Sequence, residues 1–259
     1  MEALKGQQFL IITLGVHAPQ DLHSKIVKAA VKAGVPYIKP NSYGYDIHNE
    51  NLKNDPYLGH IKQGVEKMEE IKDLGASYVT ICCGYWYEWS LALGNQWFGI
   101  DIKNSKVTFF DDGKTKINVS TWDQCGRAVA ALLDLPESGA KPALSDWKNQ
   151  VLYFDSWKLS QRDMLDSLNR VLGTTDKDWE ITYEPTEKRY KDGIEEQKNG
   201  VFTGFAKMIY SRIFFPTGDG DYESTRGLSN ELLGLPKENL DEYTKKAVEM
   251  VESGWSPFD

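Results

Sequence analysis

The stretch that decides the fold is ALKGQQFLIITLG, residues 3–15, because it contains the apolar run FLIITL at residues 9–14. An apolar run of this length, bounded by Gly and polar residues, is typical of a strand that is buried on both faces. The sequence therefore predicts that a core strand lies within ten residues of the first Met.

Helices and further apolar runs alternate after this strand. Apolar residues recur at helical spacing from Leu22 to Ala33, and again from Leu58 to Ile71. The first of these helices is followed by VPYIKP (35–40) and the second by SYVTICC (77–83), both of which read as short buried strands. A strand–helix–strand–helix–strand series predicts a parallel α/β sheet.

The second half of the chain has a different pattern. KVTFFDDGKTKINV (106–119) predicts two strands around an Asp-Gly turn, and NQVLYFD (149–155) predicts one more buried strand. Ser160 and Asp163 form a capping box before a helix that Gly173 terminates. We therefore expect a smaller α+β lobe added to the sheet.

Composition limits the classes of function. The chain has 259 residues and a net charge of −8, which argues against nucleic acid as a partner because that affinity depends on neutralising phosphates. No apolar stretch reaches the ~20 residues of a membrane span. The three Cys and four His show no ligand spacing, so we expect no metal site. The thiols are expected to stay reduced in a cytoplasmic protein.

Several stretches, in register along nearly the whole chain, carry a resemblance to a known family. The sequence resembles the NmrA-like atypical short-chain dehydrogenases, and in particular their fungal isoflavone-reductase-like branch. The resemblance implies a Rossmann-like doubly wound parallel sheet, NADP as cofactor, and a small aromatic or heterocyclic substrate of secondary metabolism. The stretches that carry it are ALKGQQFLIITLG, AAVKAGVPYIKPNSYGYD, CCGYWYEWSLALGNQWFGIDI, VTFFDDGKTKINVSTWDQCGRAVAALL and LLGLPKENLDEYTKKAV.

The chain departs from the family pattern at its amino terminus. In the family, the strand that resembles FLIITLG is the fourth of the sheet, and a Gly-rich turn for the cofactor pyrophosphate comes before it. We therefore expect a truncated NAD(P)-binding domain at 1–135, doubtful cofactor binding, and a substrate-binding lobe at 136–259 from which residues 149–155 return to the sheet. The strand at 9–14 would become an open edge, prone to self-association or sealed in a homodimer.

The resemblance also implies the cofactor-binding residues. It places Asn41, Ser42 and Tyr43, at the carboxyl end of a strand, beside the nicotinamide ribose, and Gly15 at the same crevice. The alternative is a polar loop in which Gly44 makes the turn.

The catalytic residue implied by the family is a Lys on the following helix. The usual Tyr-x-x-x-Lys pair is absent, since Tyr57 and Lys62 are one residue too far apart. Lys62 is the candidate and Lys67 the alternative, while a solvated helix Lys would explain either one equally well.

Aromatic residues after the third strand are candidates for the substrate. Tyr85 and Trp86 are predicted to wall an aromatic pocket, with packing inside the lobe as the alternative. Two functions remain open: an NAD(P)H-dependent reductase of a small aromatic metabolite, or a non-catalytic dinucleotide sensor that acts through a protein partner.

Overall fold

The computed structural model describes residues 2–15 and 18–258. Short 3-10 helices lie at Glu2–Leu4, Leu144–Trp147 and Asp176–Asp178. The strands are β1 (Phe9–Ile11), β2 (Tyr37–Lys39), β3 (Ser77–Cys82), β4 (Tyr85–Trp86), β5 (Ile100–Asp101), β6 (Lys106–Phe110), β7 (Ile117–Ser120), β8 (Gln150–Tyr153), β9 (Trp157–Leu159) and β10 (Glu180–Glu184). The α-helices are α1 (Leu22–Lys32), α2 (Glu50–Lys53), α3 (Gly59–Asp73), α4 (Tyr87–Ala92), α5 (Trp122–Asp134), α6 (Gln161–Leu172), α7 (Thr186–Lys198), α8 (Gly204–Ile213), α9 (Glu223–Arg226) and α10 (Leu240–Glu252).

A four-stranded parallel sheet forms in the order β1-β2-β3-β8. Helix α1 connects β1 to β2, and α2 and α3 connect β2 to β3, which is the crossover that parallel pairing requires. The predicted α/β class and its alternating strands and helices are confirmed. Strand β3 is buried along its whole length, as its apolar sequence predicts.

Strand β1 lies at the edge of this sheet. Within residues 2–15 and 18–258 it pairs with β2 alone, in the register Phe9–Tyr37 to Ile11–Lys39. Its three residues are half-buried, so the prediction of burial on both faces is wrong for them, because no described strand covers the outer side. The strand is also shorter than the run 9–14; Ile12 adds one more backbone hydrogen bond, to Lys39.

Two compact units divide the chain. Unit 1 consists of residues 1–83, 127–154 and 228–235, and it contains the four-stranded sheet. Unit 2 consists of residues 84–126, 155–227 and 236–259. These units interleave along the chain. The sequence predicts a boundary at residue 135, with residues 149–155 returning from the second part to the sheet.

Unit 2 contains two small sheets, in the orders β10-β6-β5 and β4-β7-β9. The predicted strands at 106–119 exist as β6 and β7, but the hairpin is wrong because each belongs to a different sheet. After β6 the Asp111 backbone amide donates a hydrogen bond to the Glu184 carbonyl. The Asp111 carboxylate accepts hydrogen bonds from Thr186 at the start of α7. These contacts hold the turn against β10 and α7, so β7 leaves in another direction.

Both residues predicted to begin and end helix α6, the capping-box Ser160 and the terminating Gly173, are confirmed. The Ser160 hydroxyl accepts from the Asp163 amide while the Asp163 carboxylate accepts from the Ser160 amide. Gly173 ends the helix with φ of 68°, a conformation that L side chains rarely adopt. No helix in the described ranges is long and apolar enough to cross a membrane.

Candidate functional site

The turns that follow β1 and β2 lie side by side at the carboxyl end of the sheet of unit 1. Because parallel α/β sheets bind ligands outside the carboxyl ends of their strands, this edge is the first place to search for a site. The predicted cofactor residues Gly15, Asn41, Ser42 and Tyr43 all lie on these two turns. Gly15 is exposed and its carbonyl accepts from the Ala18 amide.

Asn41 ties the two turns together. Its Oδ1 accepts from the Leu14 amide at 3.2 Å and its Nδ2 donates to the Leu14 carbonyl at 3.1 Å, so the side chain copies a pair of ladder hydrogen bonds. The Tyr43 hydroxyl adds a longer bond, 3.4 Å, to the Ile12 carbonyl. Asn41 therefore holds the shape of the turns, and its amide is already engaged by backbone.

Lys39 places a buried amine directly beneath the second turn. It is the last residue of β2 and only 2% exposed. Its Nζ donates to the carbonyls of Pro40 and Ser42, each at 2.9 Å, and lies 2.9 Å from the centre of the Tyr43 ring. An ammonium group has three donors, and here two carbonyls and one aromatic face receive them.

The environment of Lys39 disfavours its charge. Burial lowers the pKa of Lys39 well below its ordinary value, and Cys83 opposes this only in part. Sequence reasoning missed this residue. The available signal was a Lys inside YIKP, a stretch that otherwise reads as a buried strand. A Lys that is buried must donate its hydrogen bonds to acceptors nearby.

Helix α3 forms the other wall of the site. A Cβ placed on Gly64 would lie 2.9 Å from the Ser42 Oγ, so glycine at this position lets the turn approach the helix closely. Ser42 donates its amide to the Pro40 carbonyl. No described residue hydrogen-bonds its hydroxyl, which leaves that group available to a ligand.

A cleft of about 160 Å³ lies between the second turn and α3. Residues of the turn form one side, and three residues of α3 at helical spacing, His60, Gly64 and Lys67, contribute to the other. The remaining lining residues are Asn41, Ser42, Tyr43, Tyr45, Ile47, Ile61 and Gln63. The cleft thus brings together the predicted residues Asn41, Ser42 and Tyr43.

The two candidate lysines of α3 differ in position. Lys67 is half-buried and lines the cleft, whereas Lys62 is exposed and does not. Five residues along a helix rotate a side chain by about 140°, which accounts for the difference. Neither lysine has an ion-pair partner among the described residues. The catalytic role of Lys62 stays a prediction, and its alternative Lys67 has the position of a ligand contact.

Two histidines near the cleft are held in the neutral form. Burial lowers the pKa of His23, on α1, and Lys67 lowers it further, while Glu70 opposes the change. Burial also lowers the pKa of His60, whose ring lies 5.1 Å from the ring of Tyr45. Lys67 is therefore the cation of the cleft lining, since His60 stays neutral around pH 7.

Tyr85 and Trp86, the predicted substrate residues, lie in unit 2 on β4. Tyr85 packs its ring 4.1 Å from that of Tyr210 and donates its hydroxyl to the Ile209 carbonyl at 3.3 Å. Trp86 is 38% exposed. Successive strand residues point to opposite faces, so the two rings do not wall one pocket together. The role of each in substrate binding stays a prediction.

Trp86 belongs to a row of indole rings within unit 2. Neighbouring ring centres along the row are 6.1 to 6.3 Å apart, and the contacts are edge-on. The row consists, in order, of Trp255, Trp122, Trp86, Trp89 and Trp97. In the ranges 2–15 and 18–258, no three His, Cys, Asp or Glu side chains converge as metal ligands would.

The chain is similar in sequence to one curated fungal protein. Oxidoreductase aprR of Aspergillus flavus is 28% identical over 244 residues, which covers 93% of this chain and 77% of that protein. No family model matches the chain.

Three solved structures share the fold of the chain. AtPrR2 with NADP+ and (+)-pinoresinol gives a TM-score of 0.72 at 17% identity, over 94% of this chain and 76% of that one. The chain has their Rossmann-like fold. Isoflavone reductase gives 0.72 at 20% identity, covering 95% and 76% of the two chains. Leucoanthocyanidin reductase from Vitis vinifera, bound to NADPH, gives 0.69 at 15% identity, covering 93% and 75%.

Proposed function

We propose that the chain is an NADPH-dependent reductase of a small aromatic metabolite. The observation that carries the proposal is the four-stranded parallel sheet whose polar turns, 12–15 and 40–44, meet at its carboxyl edge beside a cleft. Proteins with this fold include structures solved with NADP+ and pinoresinol and with NADPH. The fungal oxidoreductase that is similar in sequence supports the same class of reaction.

The residues of the site fit one end of a dinucleotide. The available hydroxyl of Ser42, the ring of Tyr43 and the exposed Gly15 would contact the nicotinamide and its ribose. Bound NADPH would supply a hydride. No strand followed by a Gly-rich turn and a helix, the usual site for the pyrophosphate, occurs among residues 2–15 and 18–258. We therefore expect this chain to bind NADPH weakly.

A lysine of α3 is proposed to supply the proton that accompanies the hydride. Lys62 is the candidate from the family resemblance and Lys67 its alternative. The position of Lys67 in the cleft supports contact with a ligand, whereas Lys62 would act only if the substrate reached the exposed face of the helix. Loss of a general acid typically lowers turnover by ~10²–10⁴-fold.

The proposal is tested with a reductase assay at high NADPH concentration. The chain is incubated with an isoflavone, a lignan such as pinoresinol, a leucoanthocyanidin, and a single-ring aromatic acid with a reducible double bond such as 4-hydroxycinnamate, and loss of the near-ultraviolet absorbance of NADPH is followed. We expect consumption that depends on one of these substrates and falls in Ser42→Ala, which removes only the hydroxyl. A folded chain that consumes no NADPH with any substrate would refute the proposal.

The second candidate function is a dinucleotide sensor that acts through a protein partner. It is favoured by the position of Lys62, the candidate proton donor, outside the cleft. A sensor would bind NADP+ or NADPH without turnover of any substrate in the assay above. Affinities that differ between the oxidised and reduced forms, with no product, would select this alternative.

A further inference from the structure

We propose that the cleft between the turn 40–44 and α3 binds an aromatic carboxylate, with Lys67 as its counter-charge. The inference deepens the proposed reductase function by naming a substrate class. The claim that the acid is reduced rests on that function. The claim that the acid binds to the cleft does not, because binding requires no cofactor.

The charge of the lining differs from that of the chain. The protein has 38 acidic against 30 basic residues, yet none of the ten lining residues is Asp or Glu. Lys67 lines the cleft without an ion-pair partner among the described residues. An unpaired ammonium in a half-buried site without carboxylates attracts an anion more strongly than an exposed lysine does, because solvent screens it less.

A neutral donor accompanies this charge. The Gln63 amide lies on the same lining as Lys67. A carboxylate accepts hydrogen bonds at both oxygens, so an amide and an ammonium together match its acceptors. An inorganic cation would find no anionic ligand on this lining.

The rest of the wall is apolar or aromatic. The side chains of Tyr43, Tyr45, Ile47 and Ile61 line the cleft, and the ring of His60 packs against that of Tyr45. Such surfaces favour a flat ring, through ring–ring contacts and burial of apolar area. A volume of about 160 Å³ suits a single-ring acid and is below the ~300–1,000 Å³ of pockets for larger ligands.

The proposal assigns Lys67 a binding role. Replacing it should weaken the affinity for the acid, raise KM and leave kcat nearly unchanged. A proton donor would behave in the opposite way, with a lower kcat at unchanged KM. That outcome would overturn the anchoring role and return Lys67 to the list of proton donors.

The test is calorimetric titration of the chain, without NADPH, with 4-hydroxybenzoate and with its neutral analogue 4-hydroxybenzamide. We expect the acid to bind at least about tenfold more tightly than the amide, a difference that rising salt reduces. Lys67→Met should remove the preference for the acid. Lys62→Met, on the exposed face of the same helix, is the matched control and should retain it.

Each outcome decides the proposal. Equal affinity for acid and amide in the wild type, or an equal loss in both variants, refutes it without reference to turnover. Inorganic phosphate that displaces the acid at a similar concentration would show a plain anion site and refute the aromatic part. Tight acid binding with no NADPH consumption would leave the cleft assignment standing and count against the reductase alone.

Discussion

Replacing Lys39 by Met should loosen the turn 40–44 while leaving the stability of the protein nearly unchanged. Methionine keeps the length of the side chain but removes the amine that donates to Pro40 and Ser42. The substitution separates two contributions of this residue: the hydrogen bonds that shape the turn, and the cost of keeping an amine out of water.

The two contributions have opposite effects on the free energy of unfolding: the hydrogen bonds raise it and the burial of the amine lowers it. Each lost hydrogen bond weakens the turn by about 1 kcal/mol, or about 2 kcal/mol for both. Burial of the charged form costs several kcal/mol, and replacing buried charges by apolar groups of similar size is often neutral or stabilising. We therefore expect the free energy of unfolding to change by no more than about 1–2 kcal/mol, in either direction.

The pH dependence of stability provides a second signature. Because burial lowers the pKa of Lys39 in the folded protein, the unfolded chain binds its proton more readily at pH values below 10.5. The wild-type free energy of unfolding should therefore receive a contribution that rises with pH from the lowered pKa up to 10.5. Lys39→Met lacks this contribution.

Hydrogen exchange measures the turn directly. The reporter amides are those of Ser42, which donates to Pro40 at 2.8 Å, and Leu14, which donates to Asn41. A loss of 2 kcal/mol corresponds to about thirtyfold faster exchange. Lys62→Met is the control and should not change it. Unchanged exchange at both amides in Lys39→Met, or a fall in stability far above 2 kcal/mol, would refute the reasoning.

Three further predictions concern the cofactor, the sheet edge and a buried carboxyl. Titration followed by nicotinamide fluorescence should show NADPH binding weaker than micromolar, and micromolar affinity would reveal a phosphate site not recognised above. Ile11→Lys should raise the monomer fraction in light scattering if copies pair through β1, with a thermal melt to exclude unfolding; a monomeric, cooperatively folded wild type would contradict that pairing. Burial raises the pKa of Glu88, whose carboxylate accepts from the Trp122 amide. Stability should therefore fall as pH rises above 4.5, and Glu88→Gln should remove this fall in denaturant titrations at several pH values.

The sheet of unit 1 could be predicted from sequence because its strands leave a clear pattern. β3 is covered on both faces and its sequence is almost wholly apolar, while helical spacing identified α1 and α3. The capping box of α6 is equally local. Such signals depend on residues within one element, so no knowledge of distant contacts is needed.

Features that depend on distant contacts were missed. The prediction of a hairpin at 106–119 was wrong because Asp111 is hydrogen-bonded to Glu184 and Thr186, which lie far along the chain. The burial of Lys39 follows from how the turn folds over it, and the opposite directions of Tyr85 and Trp86 follow from an extended backbone at β4. The sequence correctly predicted that Asn41, Ser42 and Tyr43 follow the end of a strand. It did not show that the Asn41 side-chain amide is hydrogen-bonded to the Leu14 backbone.

The row of indole rings determines what an optical experiment on this protein observes. Trp147 lies in unit 1, and the other seven of the eight tryptophans lie in unit 2. Rings about 6 Å apart exchange excitation energy readily, so five of them emit as a coupled group. Intrinsic fluorescence therefore reports mainly the unfolding of unit 2. A thermal melt recorded by fluorescence contains little signal from the sheet of unit 1, which carries the candidate site.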